Sequence, residues 1–283
     1  MAHVDLRPMT LGEVLDRTFT LYRENFLLFA GITALPYLLT LVFKFGFLLA
    51  ERGHLTGAAA NLQSPGLIGA LVVGAVGGGL LSLFMMGIAQ AATVSAVSDL
   101  YLGRPTSIRD AYGQAKASVL IVIAILILSG LATIVGLILL IIPGIYLACR
   151  LAVSVPVAIA EKESPVAAME RSMELTRGYG WQLFLLFLLV FVLAYVVAMV
   201  LQFPVIFFTI TSAMAKHQVS TGVTAYSYVA EYIAQVIVGP IGTISACLMY
   251  YNLRVRKEGF DIQHLMNSLG SVPRPLADPP GVQ

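Results

Sequence analysis

The sequence predicts an all-α, polytopic membrane protein with six transmembrane helices and a short amphipathic interfacial helix before spans 1, 3 and 5. Composition is the first observation behind this prediction. Of the 283 residues, 58% are hydrophobic and only 11% are charged, so the chain is far more apolar than a typical soluble domain. Patterning is the second, because the apolar residues form runs long enough to cross a bilayer, separated by polar segments.

Three of the polar segments begin with a residue that caps helix N-termini, namely Thr10, Ser107 and Ser164. Apolar residues then recur at helical spacing, which predicts an amphipathic helix in each segment. The first of these helices either lies in the membrane interface or packs on the protein's own polar side. The chain thus contains three units of a capped helix and a two-helix hairpin. Either a weak internal repeat or the physical requirements common to any helix that precedes a span explains this pattern.

The apolar runs predict where the spans begin and end. The second run is longer than the roughly 20 residues that a perpendicular span needs, so it must tilt, bend or project beyond the bilayer. Pro143 and Gly144 predict a tight turn between the third and fourth spans, which makes them an antiparallel hairpin. Lys44, in the first run, lies near enough to one interface to snorkel. The six runs cover residues 26–50, 66–98, 118–142, 143–160 and 181–211 and a last segment that ends at Asn252.

The chain divides into an N-terminal amphipathic helix at 1–25, a six-span membrane domain at 26–253, and a basic segment with a proline-rich tail at 254–283, which we expect to be disordered. An even number of spans leaves both termini on one side. Thirteen of the 17 Lys and Arg residues fall on that side, and the positive-inside rule therefore places both termini in the cytoplasm.

A stripe of small residues occupies one face of the second span. Such a face lets another helix approach closely, so we expect helix packing here, with a hinge or a pore lining as the alternative. The stripe consists of Ala70, Gly74, Gly78 and Ser82.

Arg150 is the best single candidate for a functional residue, because it lies at mid-depth in an otherwise apolar run. A charge near the bilayer centre costs about 2.5 to 3.5 kcal/mol, which a partner must offset. Arg150 is either satisfied by helix carbonyls or one carboxylate, or it contacts an anion or a lipid headgroup in a cavity between spans. Glu231 is the expected partner, and Gln90 and Gln202 are expected to contribute hydrogen bonds.

The sequence contains no pattern that predicts catalysis. We find no Gly-rich phosphate loop, no nucleophile elbow and no Cys/His cluster. None of the four histidines has a second histidine or a carboxylate at metal-ligand spacing. We therefore expect no enzyme activity, no metal and no cofactor. The histidines are His3, His54, His217 and His264.

Five motifs resemble a family of prokaryotic membrane proteins described as the glycerophosphoryl diester phosphodiesterase membrane domain. The motifs are residues 10–17, 100–105, 143–146 with Arg150, 172–178 and 250–261, and the resemblance that they carry extends over nearly all of the chain. The family is named after larger proteins in which such a membrane portion is fused to a separate phosphodiesterase domain. The resemblance implies an integral membrane module of the prokaryotic cytoplasmic membrane, and no phosphodiesterase activity, since the sequence contains no such domain.

The expected function is that of a scaffold, an accessory subunit or a membrane-organising module. The alternative is a transporter or a protein that handles lipids or anions through Arg150. The expected partners are the lipid bilayer, including anionic lipids, and either another protein or a second copy of the chain. Nucleic acid is not an expected partner.

Overall fold

The computed structural model describes residues 8–56, 65–214 and 220–259, and it is helical throughout these ranges apart from short connections. Six stretches are long and apolar enough to cross a membrane, and the fourth of them combines two helices. The prediction of an all-α polytopic membrane protein is confirmed. The helices are α1 (Leu11–Glu24), α2 (Phe26–Thr56), α3 (Pro65–Tyr101), α4 (Ile108–Ala115), α5 (Val119–Leu139), α6 (Ile141–Leu151), α7 (Ser154–Glu161), α8 (Pro165–Leu175), α9 (Gly180–Met214) and α10 (Thr221–Glu258).

The predicted caps form at the three short polar helices. The Thr10 hydroxyl accepts a hydrogen bond from the Glu13 backbone N–H, and the Glu13 carboxylate accepts one from the Thr10 N–H at 2.6 Å. Ser107 and Ser164 cap α4 and α8 in the same way, each through its hydroxyl. These side chains satisfy N–H groups that have no partner inside the helix, so helix starts are fixed locally.

The turn between α5 and α6 lies at Leu140, not at Pro143 and Gly144 as the sequence predicts. Leu140 has an extended backbone, with φ −163° and ψ 143°, whereas both predicted turn residues lie in the first turn of α6. Proline is tolerated there because the first N–H groups of a helix lack an intrahelical partner. Gly144 serves close packing instead, since a Cβ on Gly136 would lie 2.9 Å from the Gly144 Cα.

The fourth apolar run is also interrupted, because α6 ends at Leu151 and α7 begins at Ser154. The Ser154 hydroxyl donates to the Leu151 carbonyl at 2.7 Å, which satisfies one of the carbonyls that the break leaves free. At the far end of α7, Lys162 adopts a left-handed conformation with φ 57°. The chain reverses there, so that α8 packs beside α7.

Burial is concentrated at one end of the helix bundle, which we call the base: α1, α4, α7, α8 and the adjoining ends of α3 and α10. Its core includes Val14, Val97, Ala111, Val157, Ala168, Leu175, Tyr250 and Leu253. The parts of α2, α3 and α9 remote from the base instead expose large apolar side chains, among them Leu39, Leu49, Val73, Leu80, Phe191, Val200 and Phe203. Apolar surface of this extent marks contact with a membrane.

Two members of the small-residue stripe lie at the contact between α2 and α3. A Cβ on Gly74 would come within 2.0 Å of the Phe47 ring, and one on Gly78 within 3.1 Å of the Phe43 ring. The two phenylalanines are one helical turn apart, so each ring fills the space above one glycine. Ser82 is half-buried, while the Ala70 side chain and the proline-rich tail at 271–283, for which the sequence predicts disorder, lie outside the described residues.

Candidate functional site

Arg150 lies in the last turn of α6, where it contacts both its own helix and α8. Its Nη1 donates to the Tyr146 hydroxyl at 3.0 Å, and its Nη2 donates to the Met173 carbonyl. The guanidinium also lies over the Tyr146 ring, 5.6 Å from the centroid. Its Nε is buried and has no hydrogen-bond partner among the described residues. Within the described residues the side chain is therefore held by a carbonyl and by the Tyr146 side chain, not by a carboxylate.

The backbone of Arg150 is fastened to α8 as well. Its carbonyl accepts hydrogen bonds from the Ser172 hydroxyl at 2.8 Å and the Thr176 hydroxyl at 3.3 Å. The last carbonyls of a helix have no donor within the helix, and these two hydroxyls donate to one of them. The C-terminal turns of α8 thus lie directly beside Arg150.

These contacts bear on the predicted depth of Arg150. α8 carries Glu170 and Glu174, which are exposed, and such a helix cannot lie in the hydrocarbon core. Since Arg150 contacts the end of this helix, we expect it near the membrane boundary and not at mid-depth. The sequence prediction treated 143–160 as one straight span, whereas α7 continues beyond Arg150 into the base.

Glu231 does not pair with Arg150, contrary to the sequence prediction. Its carboxylate lies 2.6 Å from the Lys44 ammonium, which in turn lies 5.5 Å from the centre of the Tyr228 ring. Arg150 lies near Lys257, since their charges interact. Lys257 and Glu231 are both in α10, where about 39 Å of helix separates them at 1.5 Å per residue. The Lys44–Glu231 pair therefore belongs to the end of the bundle opposite the base.

The two glutamines also lie apart from Arg150. Gln202 donates to the Ser227 carbonyl at 3.3 Å and so links α9 to α10 remote from the base. Gln90 lines a cavity of about 460 Å³ between α3, α5 and the break that follows α6, together with Ser129, Thr133 and Ala152. The four predicted site residues consequently do not form one site.

An ion-pair cluster that the sequence did not predict joins α7, α8 and α10. Arg171 Nε lies 3.2 Å from the Glu161 carboxylate, and Arg171 Nη2 contacts Glu258. Arg254 Nε lies 3.1 Å from Glu258 and 3.7 Å from Glu161. Tyr250 donates to Glu161 at 2.9 Å and accepts from Arg254 at 3.0 Å. Two arginines and two carboxylates therefore alternate around a shared centre.

The charges within this cluster stabilise one another. Burial by itself lowers the pKa of Arg171, but the charge of Glu161 and the hydrogen bond to Glu258 raise it above its ordinary value. Arg171 remains protonated at any physiological pH. The Arg254–Glu258 contact has helical i, i+4 spacing and was visible in the sequence, whereas the other contacts depend on the chain reversal at Lys162.

A narrow apolar slot of about 340 Å³ opens between α6 and the start of α9 beside Arg150. It is lined by Ile142, Ile145, Tyr146, Cys149, Trp181 and Phe184. Arg150 reaches this lining through its hydrogen bond to Tyr146. Lys257 donates to the Glu174 carbonyl at 2.7 Å, and the charges of Arg150, Arg177 and Arg171 all act on Lys257. An apolar slot beside a group of basic side chains has the chemistry to bind an anion that carries an apolar tail.

Other site chemistry is sparse in the part of the chain that the structure describes. No group of three or more His, Cys, Asp and Glu side chains is placed to hold a metal there. Cys149 and Cys247 are both buried free thiols.

The comparisons with known proteins bear on the second half of the chain. A family model described as the membrane domain of glycerophosphoryl diester phosphodiesterase matches residues 121–269. The matched region includes Arg150, the slot and the ion-pair cluster. No curated protein and no solved structure matches the chain.

Proposed function

We propose that this chain, which belongs to the family of membrane domains of glycerophosphoryl diester phosphodiesterase, is a non-enzymatic membrane module. It acts as a scaffold, an accessory subunit or an organiser of the membrane around it. The ion-pair cluster is the observation that supports this proposal best, because its four partly buried charges hold helices together.

Glu161 and Glu258 would be the natural acids or bases of an enzyme at this site, since they are the carboxylates shared by both arginines of the cluster and Glu161 also accepts from the Tyr250 hydroxyl. A general acid or base must reach a substrate proton, yet each carboxylate contacts two arginines, and their side chains are only 18% and 24% exposed. Carboxylates engaged in this way fix α7, α8 and α10 relative to one another. The outer surface of the base, with exposed Arg109, Lys116 and Glu170, remains available to a protein partner.

In the proposed orientation the base faces the cytoplasm of a prokaryotic cell, and both termini lie on that side of the cytoplasmic membrane. The positive-inside rule supports this orientation, because the basic residues cluster at the base while Lys44 lies at the opposite end. A fluorescent protein fused to the C-terminus should fluoresce, and alkaline phosphatase fused after Ser220 should be active. The reverse pair of results would contradict the orientation.

Native mass spectrometry of the protein, released from its own membrane with mild detergent, tests the scaffold function. A second polypeptide at fixed stoichiometry identifies an accessory subunit, and a defined number of copies of the chain identifies a scaffold. Arg171→Gln should reduce that assembly because it removes the ion pairs with Glu161 and Glu258 that hold α7, α8 and α10 together. Arg109→Gln, at an exposed position, should leave the base intact. A protein that is monomeric and alone in both its native and variant forms would contradict the proposal.

A transporter or a lipid- or anion-handling protein that uses Arg150 is the second candidate. It is favoured by one observation: Arg150 forms no ion pair with a carboxylate in the described ranges, and it borders the apolar slot. Arg150→Gln should then leave folding and abundance unchanged but lose phosphatidylglycerol retained in nanodiscs, while Arg150→Lys retains part of it. Loss of abundance in Arg150→Gln, without loss of lipid from the protein that remains, would favour the scaffold instead.

A further inference from the structure

We propose that the hairpin of α5 and α6 is a surface for the acyl chains of a single leaflet. It enters the bilayer from the side of the base and returns to that side, with its apolar tip near the bilayer centre. α5, and α6 together with α7, are each apolar and long enough to span by composition. Their contacts with the rest of the chain nevertheless limit how far the hairpin reaches into the bilayer. This proposal does not depend on the scaffold function.

The length of α6 sets the depth of the tip. α6 has 11 residues and is about 16 Å long, which is half of a hydrocarbon core of about 30 Å. Its C-terminal end is already at the membrane boundary, because Arg150 contacts Met173 and Thr176 at the end of the charged helix α8. The tip at Leu140 therefore reaches only about the middle of the bilayer.

The packing of α6 against α9 independently shows that the hairpin stops short of the far leaflet. A Cβ on Gly180, the first residue of α9, would lie 3.7 Å from the Tyr146 ring, and Ile142 and Phe184 line the same slot. α6 therefore begins beside the second turn of α9. Since α9 has 35 residues, about 45 Å of it continues beyond that turn.

The exposure of α9 changes where the hairpin ends. On the face of α9 that lines the slot, Phe184 is half-buried, whereas Leu188, one turn farther along, is 41% exposed, and large exposed apolar residues continue along the rest of α9. The hairpin thus covers the first turns of α9 and no more.

The composition of the tip fits lipid and not water. Residues 137–142 are all leucine or isoleucine, and Leu139, Leu140, Ile141 and Ile142 are 68–81% exposed. Loops that return to water between spans carry polar residues, as do residues 215–220 between α9 and α10, which include Lys216, His217 and Ser220. The occupant that suits four adjacent exposed aliphatic side chains at this depth is the acyl-chain region of the leaflet on the base side.

α5 is longer than α6 because its first half packs against the base, where it contacts α7 and α8. Val122 and Ile125 in this half are buried, while Leu131, Ile134 and Val135 in its second half are 54–59% exposed. About half of α5 therefore runs beside α6 in the bilayer, which matches the length of α6.

Tryptophan depth quenching tests this placement, because the chain has a single tryptophan. Trp181 borders the slot at the level of Tyr146 and is the matched control at the boundary. The test protein is the full chain with Trp181→Phe and Leu140→Trp, in phosphatidylcholine–phosphatidylglycerol vesicles that contain nitroxide-labelled lipid. We expect Leu140→Trp to be quenched most by nitroxides near the chain ends, and Trp181 by nitroxides near the headgroup. Quenching of Leu140→Trp by aqueous iodide, but not by labelled lipid, would overturn the proposal.

Cysteine labelling provides a second readout that does not depend on the vesicle. In a background with Cys149→Ser and Cys247→Ser, a membrane-impermeant maleimide should label Ser220→Cys from one face and Lys116→Cys from the other. Leu140→Cys should react with it about tenfold more slowly from either face, because a thiol in hydrocarbon neither ionises nor meets the reagent, and it should react fully after denaturation. Labelling of Leu140→Cys from the Ser220 face at the rate of Ser220→Cys would show that the hairpin crosses the membrane.

Discussion

The α5–α6 hairpin and the α9–α10 hairpin follow the same kind of capped polar helix, yet they differ in length and in what holds them. α9 and α10 have 35 and 38 residues, against 21 and 11 for α5 and α6. Polar contacts join α9 and α10 remote from the base, where Gln202 donates to the Ser227 carbonyl and Tyr226 to the Leu201 carbonyl. The α5–α6 tip relies on the close approach of Gly136 and Gly144. The same local signals therefore precede hairpins of different reach, and contacts at the base determine that reach.

The largest effect should come from a charge at the tip of the short hairpin. Leu140→Lys places an ammonium near the bilayer centre, where it costs about 2.5 to 3.5 kcal/mol, so we expect a strong loss of the protein from the membrane fraction. Ser220→Lys, at the exposed start of α10, should be tolerated. Abundance by quantitative blotting of membrane fractions measures both. Equal abundance of the two variants would mean that both loops lie in water and that the hairpins do not differ.

The sequence predicts the starts of these units but not their depth. The caps at Thr10, Ser107 and Ser164 act within three residues, so local sequence contains all that determines them. The depth of Arg150 depends on the chain reversal at Lys162, a lysine in a left-handed conformation with φ 57°. The break in the fourth run lies earlier, between Leu151 and Ser154, and Ala152 and Val153 carry no turn signal there, so the sequence does not predict it.

The same reasoning explains the wrong partner for Arg150. Glu231 and Lys44 lie in different apolar runs, 187 residues apart, and each interrupts its run alone. A single sequence gives apolar runs and their ends. It does not show which charged residues lie at the same position along the helix bundle when the helices differ in length. The pairing of Lys44 with Glu231, and the contact of Arg150 with a carbonyl, both follow from the tertiary arrangement.

The next largest effect should come from the cluster that fixes the base beneath both hairpins. Glu161→Gln keeps the shape of the side chain but leaves Arg171 and Arg254 with Glu258 as their remaining shared carboxylate in the cluster. For a partly buried pair we expect a loss of roughly 2 kcal/mol in the free energy of unfolding, seen as a lower Tm in detergent. Glu170→Gln, exposed on α8, is the control and should leave the Tm unchanged. A Glu161→Gln variant as stable as the control would show that the cluster does not hold the base.

The glycine pair of the short hairpin should respond to a single methyl group. Gly136→Ala places a Cβ 2.9 Å from the backbone of Gly144, where only a shift of the helices relieves the contact, so we expect about 1 to 3 kcal/mol of destabilisation. Gly130→Ala, in the same helix, meets nothing within 4 Å and should be neutral or slightly stabilising, because alanine favours the helix. Thermal unfolding of the two variants in the same detergent separates packing from helix propensity. A similar Tm for both would mean that α5 and α6 do not depend on this contact.

The smallest effect should come from the hydrogen bond between α9 and α10 at the end of the long hairpin remote from the base. Gln202→Met keeps a side chain of similar length but removes the donor to the Ser227 carbonyl, and one such hydrogen bond contributes about 0.5 to 1.5 kcal/mol. Because the base stays intact, the loss should appear as faster hydrogen exchange at the start of α10, with little change in Tm. Thr211→Val is the matched control, since the Thr211 hydroxyl bonds only to carbonyls of its own helix. If Gln202→Met instead lowered the Tm as much as Glu161→Gln, the far end of the long hairpin would be as important to the fold as the base. The two hairpins would then not differ in where their stabilising contacts lie.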